Sequence, residues 1–213
     1  MTTSIAEQLI EIGRSCWKRG WTRAGSCCYS LLSPAEPNKL TAVTSRRCRS
    51  KLSATDIQTL ELTQCDSLGA DLALHAWVAK RYSVAGQSLA TVQTQSVWSN
   101  LLADRFATLD GVLLEDHQLL ESLSTLSLRE DTTHSEKRGH WLPIVPRGED
   151  LDKQIAELEK ALEFTPTDCY LPQAFIIHGN SMMNWAKDLE TAYQQAEILE
   201  YFCEYLIRRA LIS

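Results

Sequence analysis

The stretch Ala90-Thr-Val-Gln-Thr-Gln-Ser-Val-Trp-Ser-Asn100 begins as a short apolar strand and leads, through polar residues, into a helix. Side chains two residues apart in a strand lie on the same side, so Gln93 and Gln95 are expected to share one face. Two imidazoles at this spacing could bind one zinc ion from that face, whereas neutral carboxamides bind such a metal weakly. The stretch therefore predicts a strand-to-helix junction that carries amides where a zinc site would need histidines.

Helix and strand patterns alternate on both sides of this stretch, without a repeat or a low-complexity linker. Ser4 and Glu7 form a capping-box sequence, which predicts a first helix that Gly20 ends. Elsewhere, short apolar runs between turn residues predict strands, and apolar residues at helical spacing predict helices. The predicted strands are 28–32, 40–44, 89–93, 141–145 and 174–177. The later predicted helices are 70–82, 97–106, 150–162 and 189–211, with a short helical turn from Ser53 before the apolar run 59–62 and a mixed period over 112–128. This order predicts a mixed α/β fold with a central, largely antiparallel sheet flanked by helices.

Composition limits the function classes that this chain can belong to. A length of 213 residues, 44% hydrophobic and 23% charged, predicts a single domain over residues 1–213. The net charge of -6 disfavours nucleic acid and anionic lipid, and the basic run Arg46-Arg-Cys-Arg-Ser-Lys51 is the local exception. No apolar stretch approaches the roughly 20 residues that span a bilayer, and the first residues lack the pattern of a secretion signal. We therefore expect a cytoplasmic protein that binds neither nucleic acid nor membrane.

Several residues with reactive side chains are expected to be structural. The seven cysteines include no CxxC pair, which favours scattered reduced thiols over a disulfide framework or a structural zinc site. Adjacent Cys27 and Cys28 are sterically poor disulfide partners, so packing is their expected role. His75 lies in an apolar helix face and is expected to be a hydrogen-bonded core residue, and Met182 and Met183 are expected to lie in the core.

Five segments spread along the chain carry a resemblance to a known family. They are Gly20-Trp-Thr-Arg-Ala-Gly-Ser-Cys-Cys-Tyr-Ser30, 41–52, Gly69-Ala-Asp-Leu-Ala-Leu-His75, Trp141-Leu-Pro-Ile144 and 185–204. In this order they resemble class II aldolase/adducin-like proteins and, within that superfamily, the methylthioribulose-1-phosphate dehydratases of methionine salvage. The resemblance covers nearly the whole length and implies a class II aldolase-like three-layer fold. It also implies a zinc-dependent lyase that removes water from a ketose phosphate, with the metal polarising the carbonyl and a carboxylate moving protons.

The sequence departs from this resemblance at the positions that carry the chemistry. Family members have His-Thr-His-Ser after the central strand, where this chain has Gln93-Thr-Gln-Ser96. A third zinc-binding histidine falls five residues before Trp185, which places Asn180 there, and His178 could substitute only after a two-residue insertion. The family's acid/base glutamate matches Gln118, whose side chain cannot transfer a proton near neutral pH. No metal cofactor is therefore predicted, because zinc needs three protein ligands and a lone histidine beside amides holds it weakly.

The resemblance also implies a site for a phosphate group. Ser26, Ser45 and Arg49 match positions in the phosphate loops of the family, with Arg49 in place of a lysine. Arg46 replaces a glycine and adds a side chain where the family brings backbone close to the ligand. Asp71 stands where relatives often have a glutamate, and it either takes that catalytic position or caps the helix that begins there. A sugar phosphate is thus a candidate ligand, although a basic loop is as typical of a solvated surface.

Two functions of different classes follow from these residues. The first is a zinc-less, non-catalytic relative of the dehydratases that uses the fold for binding or assembly, as the adducin branch does. The second is an active lyase on methylthioribulose 1-phosphate or another sugar phosphate, with a relocated metal site that uses His178 and another histidine, such as His134 or His140. The resemblance further implies a homo-oligomer such as a tetramer. Fold analogy alone does not decide between the two functions.

Overall fold

The computed structural model describes residues 4–22, 27–44, 48–115, 118–125, 139–170 and 173–212. The helices are α1 (Ile5–Lys18), α2 (Ala70–Tyr82), α3 (Val97–Arg105), α4 (Leu119–Thr125), α5 (Leu151–Glu163) and α6 (Leu189–Ile212). The strands are β1 (Tyr29–Leu32), β2 (Lys39–Val43), β3 (Ile57–Glu61), β4 (Leu89–Thr94), β5 (Gly111–Leu114), β6 (Gly139–Val145), β7 (Cys169–Tyr170), β8 (Ala174–Ile177) and β9 (Met182–Ala186). The fold is therefore mixed α/β, with a central sheet flanked by helices.

The backbone divides into two compact units. The first comprises Met1–Ser96 with Trp185–Tyr193, and the second comprises Val97–Asn184 with Gln194–Ser213. The single domain that the sequence predicts over 1–213 stays a prediction.

The first unit is built on four antiparallel strands. Strand β2 pairs with β3 on one side and with β1 on the other, and β1 pairs with β4, so that Ser30 lies opposite both Ala42 and Thr91. Helix α1 packs on β1 and β2, while α2 packs on β4. The capping box of α1 forms as predicted, because the Ser4 hydroxyl accepts from the Glu7 N–H and the Glu7 carboxylate accepts from the Ser4 N–H. Gly20 follows the helix with a φ of 74°, a conformation that favours glycine.

The second unit has a mixed sheet centred on β6. Strand β6 pairs antiparallel with β5 and parallel with both β7 and β8, and β8 pairs antiparallel with β9. Gly139 lets β6 approach β5 closely, since a Cβ there would overlap the Leu114 carbonyl oxygen. The core between this sheet and its helices is apolar and includes Leu102, Leu114, Leu142, Ile176, Leu199 and Phe202.

Most of the predicted elements are confirmed close to their expected bounds. The stretch of mixed period, 112–128, contains β5 and α4, which explains why it fits neither a strand nor a helix alone. Strands β7 and β9 were not predicted. Met182 and Met183 are buried as expected, but they lie in a strand with no alternation of apolar and polar residues, because both of its faces are covered.

None of the helices in the described ranges combines the length and the apolar character that a membrane span requires.

Candidate functional site

Gln93 is a fully buried polar side chain near the end of β4. All six residues of this strand are buried, and Gln93 has 0% exposure. Its Oε1 accepts a hydrogen bond from the Cys28 N–H at 3.0 Å, and its own N–H donates to the Cys28 carbonyl at 3.1 Å. The side chain of Gln93 therefore extends the pairing between β4 and the segment that leads into β1.

The other end of the Gln93 amide reaches helix α2. Nε2 of Gln93 donates to Oδ1 of Asp71 at 2.9 Å. The expectation that Asp71 caps this helix is wrong: the N-cap residue is Gly69, no side chain makes a capping bond there, and Asp71 lies in the first turn. Since an amide is a donor at one end and an acceptor at the other, Gln93 satisfies a backbone N–H and a carboxylate together.

Arg49 binds the residue before Cys28. It is only 3% exposed, and its guanidinium donates to the Cys27 carbonyl and lies 6.0 Å from the centre of the Tyr29 ring. Cys27 and Cys28 are thus bound by Arg49 at one residue and by Gln93 at the next. A phosphate-binding role for Arg49 stays a prediction, and Ser26, Ser45 and Arg46 lie outside the described residues.

The Cys28 thiol has the surroundings of a structural cysteine. Burial raises its pKa well above the usual range, the Asp71 carboxylate raises it further, and the Arg49 guanidinium opposes the shift. The thiol donates to the Val43 carbonyl at 3.3 Å. A thiol that stays protonated is a poor nucleophile, which agrees with the packing role expected for this pair. All seven cysteines are reduced thiols.

His75 lies in α2, the same helix as Asp71, and is fully buried. Its Nδ1 is 2.7 Å from the Ser30 hydroxyl, which confirms the expected hydrogen-bonded core histidine. Burial lowers the pKa of His75 to about 3, against a weaker upward effect from the Gln93 amide. The imidazole is therefore neutral at physiological pH and shares a hydrogen bond with the Ser30 hydroxyl.

Because His75 is buried in its neutral form, we expect the protein to lose stability in mild acid. Its folded-state pKa of about 3 lies below the ordinary unfolded value of about 6.5, so the unfolded chain binds the extra proton between these values. Above pH 6.5, His75 causes no pH-dependent loss of stability. As the pH falls from 6.5 towards 3, it lowers the free energy of unfolding by about 1 kcal/mol per pH unit. Urea unfolding at pH 7.0 and 4.5 gives the free energy of unfolding at each pH. The difference between the two values should be smaller for His75→Gln than for the parent. Equal differences in the two proteins would contradict this assignment.

The remaining predicted site residues are less enclosed. Gln95 is half-buried just after β4, and its N–H donates to the Trp21 carbonyl at 2.6 Å. In the second unit, Gln118 is exposed in the turn before α4, and Asn180 is half-buried in the turn between β8 and β9. Nε2 of His178 lies 2.9 Å from the Asp104 carboxylate of α3, a contact that the sequence did not suggest.

These side chains do not fit a zinc ion in the arrangement that the resemblance implies. The Gln93 carboxamide is bound at both ends inside the first unit, and Gln95 offers another neutral amide. Zinc sites in proteins use thiolates, imidazoles and carboxylates. In the part of the chain that the structure describes, no three His, Cys, Asp or Glu side chains come together in a way that could hold a metal.

The second unit contains a row of three hydrogen-bonded amide side chains that was not predicted from the sequence. Asn184 donates to Gln195 at 3.3 Å, and Gln195 donates to Gln173 at 3.1 Å. Asn184 and Gln195 are buried. The only available signal was a polar residue among apolar neighbours in each of two buried elements, which does not identify the partner of either amide.

The chain is similar in sequence to a known protein family and to named members of it. The family described as "Class II Aldolase and Adducin N-terminal domain" matches residues 7–207. Methylthioribulose-1-phosphate dehydratase of Pseudomonas fluorescens is 28% identical over 204 residues, covering 94% of this chain and 90% of the relative. The Alcanivorax borkumensis protein of the same name is 26% identical over 197 residues, covering 92% and 86%.

Solved structures show the same fold at low sequence identity. An L-fuculose 1-phosphate aldolase aligns with a TM-score of 0.70 at 11% identity, covering 99% of this chain and 89% of that one. The L-fuculose-1-phosphate aldolase of Thermus thermophilus aligns with a TM-score of 0.69 at 14% identity, covering 96% and 94%. Together with a family match over nearly its whole length, this likeness means that the chain belongs to the class II aldolase and adducin family.

Proposed function

We propose that this protein is a relative of the methylthioribulose-1-phosphate dehydratases that does not hold zinc at the family's position and acts as a non-catalytic binding or assembly protein. The similarity to dehydratases supports the family assignment, at 24–28% identity. The departures at Gln93, Gln95, Asn180 and Gln118 support the absence of that chemistry.

One observation carries this proposal. The buried Gln93 amide accepts from the Cys28 N–H and donates to the Asp71 carboxylate. Turning Gln93 towards a metal would leave both of these groups without this partner, and a buried polar group that loses its hydrogen bond costs about 1–3 kcal/mol. Gln93, at the first expected ligand position, thus makes structural hydrogen bonds within the first unit. Asp71, at the position of a family glutamate, is held by the same amide.

The alternative is an active lyase on methylthioribulose 1-phosphate or another sugar phosphate, with a metal site in a different place. Its supporting observation is the similarity to named dehydratases over more than nine-tenths of the chain. His178 is the histidine that such a site would need, but its Nε2 is engaged with Asp104. We therefore favour the non-catalytic function.

An assay for dehydration of methylthioribulose 1-phosphate tests the proposal. The purified protein, with and without added zinc, should give no turnover above the enzyme-free rate, while the Pseudomonas fluorescens dehydratase serves as the positive control. Turnover that a chelator abolishes and zinc restores would contradict the proposal and favour the alternative.

The proposal includes self-association, a cytoplasmic location and, as a candidate ligand, a sugar phosphate. Self-association and the ligand rest on the family resemblance. The location rests on the composition and on the reduced cysteines.

A further inference from the structure

The last turns of α1 present an exposed tryptophan beside two basic side chains. Trp17 is 46% exposed, and Arg14 and Lys18 are exposed as well. Because residues three and four apart are neighbours on a helix surface, Arg14 lies beside both of the others. Tryptophan is highly buried on average, and together with arginine it is enriched at the centres of protein interfaces. This part of α1 therefore has the composition of a binding surface.

A short turn of 3-10 helix, Arg49–Lys51, extends this surface. Nη2 of Arg14 donates to the carbonyl of Leu52, the residue after Lys51, at 3.1 Å. The two segments are closely packed, since a Cβ at Gly13 would overlap the Leu52 side chain. Lys51 itself is exposed. We define the basic surface as Arg14, Trp17, Lys18 and Lys51, all of which belong to the first unit.

The three cations of the basic surface form no ion pair with any carboxylate of the described ranges. The Asp56 carboxylate, which follows Lys51 in the chain, is buried and accepts from the N–H and the hydroxyl of Ser53. Glu11, one turn before Arg14, is the acidic residue at the edge of this surface. A chain with a net charge of -6 thus has a local cationic surface, which is complementary in charge to an anionic partner.

The pKa of the Cys48 thiol reflects the positive charge of this region. Cys48 is exposed, and its carbonyl accepts from the Lys51 N–H at 2.8 Å. Its Sγ lies 3.2 Å from the Ser50 hydroxyl oxygen. Hydrogen bonds from Ser50 lower the pKa of the Cys48 thiol, and the charges of Lys51 and Arg49 lower it further. The thiolate is favoured here, which makes Cys48 a native chemical probe of the basic surface.

A short acidic segment of another protein fits the basic surface better than nucleic acid does. Affinity for nucleic acid grows with the number of phosphates that cations neutralise, and this surface offers three cations in a chain that is acidic overall. An acidic segment needs only a few carboxylates for these cations and one apolar side chain for the Trp17 ring. A small anion such as phosphate would leave that ring uncovered.

We infer that the basic surface is a docking site for an acidic segment of a partner protein. An apolar side chain of that segment packs on the Trp17 ring and removes its exposed area from water, while carboxylates lie against the three cations. The inference rests on the proposed binding function and deepens it by naming the surface and the class of partner.

Fluorescence polarisation on the full chain tests this inference, with a fluorescein-labelled peptide of glutamates interrupted by leucine and phenylalanine. The parent should bind the peptide, more weakly as salt is raised, and Lys18→Glu/Lys51→Glu should lower the affinity about tenfold or more. Lys153→Glu/Lys160→Glu is the matched control, because it makes the same charge change at exposed lysines of α5 in the second unit, and it should lower the affinity less than about threefold. A parent that does not bind the peptide, equal losses in the two double variants, or tighter binding of a thymidine oligonucleotide than of the peptide would overturn the inference.

Alkylation of Cys48 tests the same surface without any substitution. Cys48 is the exposed thiol among the seven cysteines, so iodoacetamide should modify it first. Saturating peptide should slow this modification, and high salt should restore the rate. An unchanged rate in the presence of saturating peptide would overturn the inference. Neither measurement depends on zinc content or turnover, so failure of this surface is distinguishable from failure of the non-catalytic function.

Discussion

Gln93→Ala is expected to lower the free energy of unfolding by about 2–5 kcal/mol. The substitution removes the acceptor of the Cys28 N–H and the donor to the Asp71 carboxylate. It also leaves a cavity, because the Gln93 side chain that is removed has no exposed surface. Urea unfolding at pH 7, followed by circular dichroism, gives this change directly.

Gln58→Ala is the matched control for this substitution. Gln58 is also a glutamine in a strand of the first unit, but it is exposed on β3, so its truncation should change stability by less than about 0.5 kcal/mol. Gln93→Glu should also be destabilising, because it keeps an acceptor for Cys28 but places a second carboxylate against Asp71. If Gln93→Ala cost no more than Gln58→Ala, the amide would have no structural role, and the proposed function would lose its main support.

Trp185→Ala is expected to destabilise the protein by about 3–5 kcal/mol. Trp185 is 1% exposed and belongs to the first unit, where its ring stacks on Tyr82 with centroids 4.4 Å apart. The substitution removes both the burial of a large aromatic surface and this ring contact. The midpoint of urea unfolding should fall, with the slope of the transition unchanged.

Trp17 provides the control for Trp185. It is the same residue type but is 46% exposed on α1, so Trp17→Ala should cost much less. Comparable losses for the two tryptophan variants would show that burial in this unit does not determine the cost.

The helices and most strands could be predicted because their signals are local. Helix α2 was expected over 70–82 and begins and ends there, and α1 follows from the capping residues Ser4 and Glu7. Strand β9 was missed because Met-Met-Asn-Trp-Ala is buried on both faces and shows no alternation. Periodicity reports only the difference between two faces, so a fully enclosed strand gives no such signal.

The candidate site was predictable in residue type but not in role. The sequence identified Gln93 as an amide at a metal-ligand position on one face of a strand. The structure buries it, because β4 is covered on both sides and Cys28, 65 residues away, supplies the partner. The cap, one of the two roles left open for Asp71, does not form, and its hydrogen-bond donor comes from a distant strand, which no local pattern reveals.

The zinc content of the purified native protein tests the central claim most directly. Elemental mass spectrometry should find zinc far below one ion per chain, including after incubation with excess zinc and removal of the unbound metal, because amides occupy the expected ligand positions. Near-stoichiometric zinc that survives this treatment would contradict the account and would show that the chain holds its metal with residues other than those at 93 and 95.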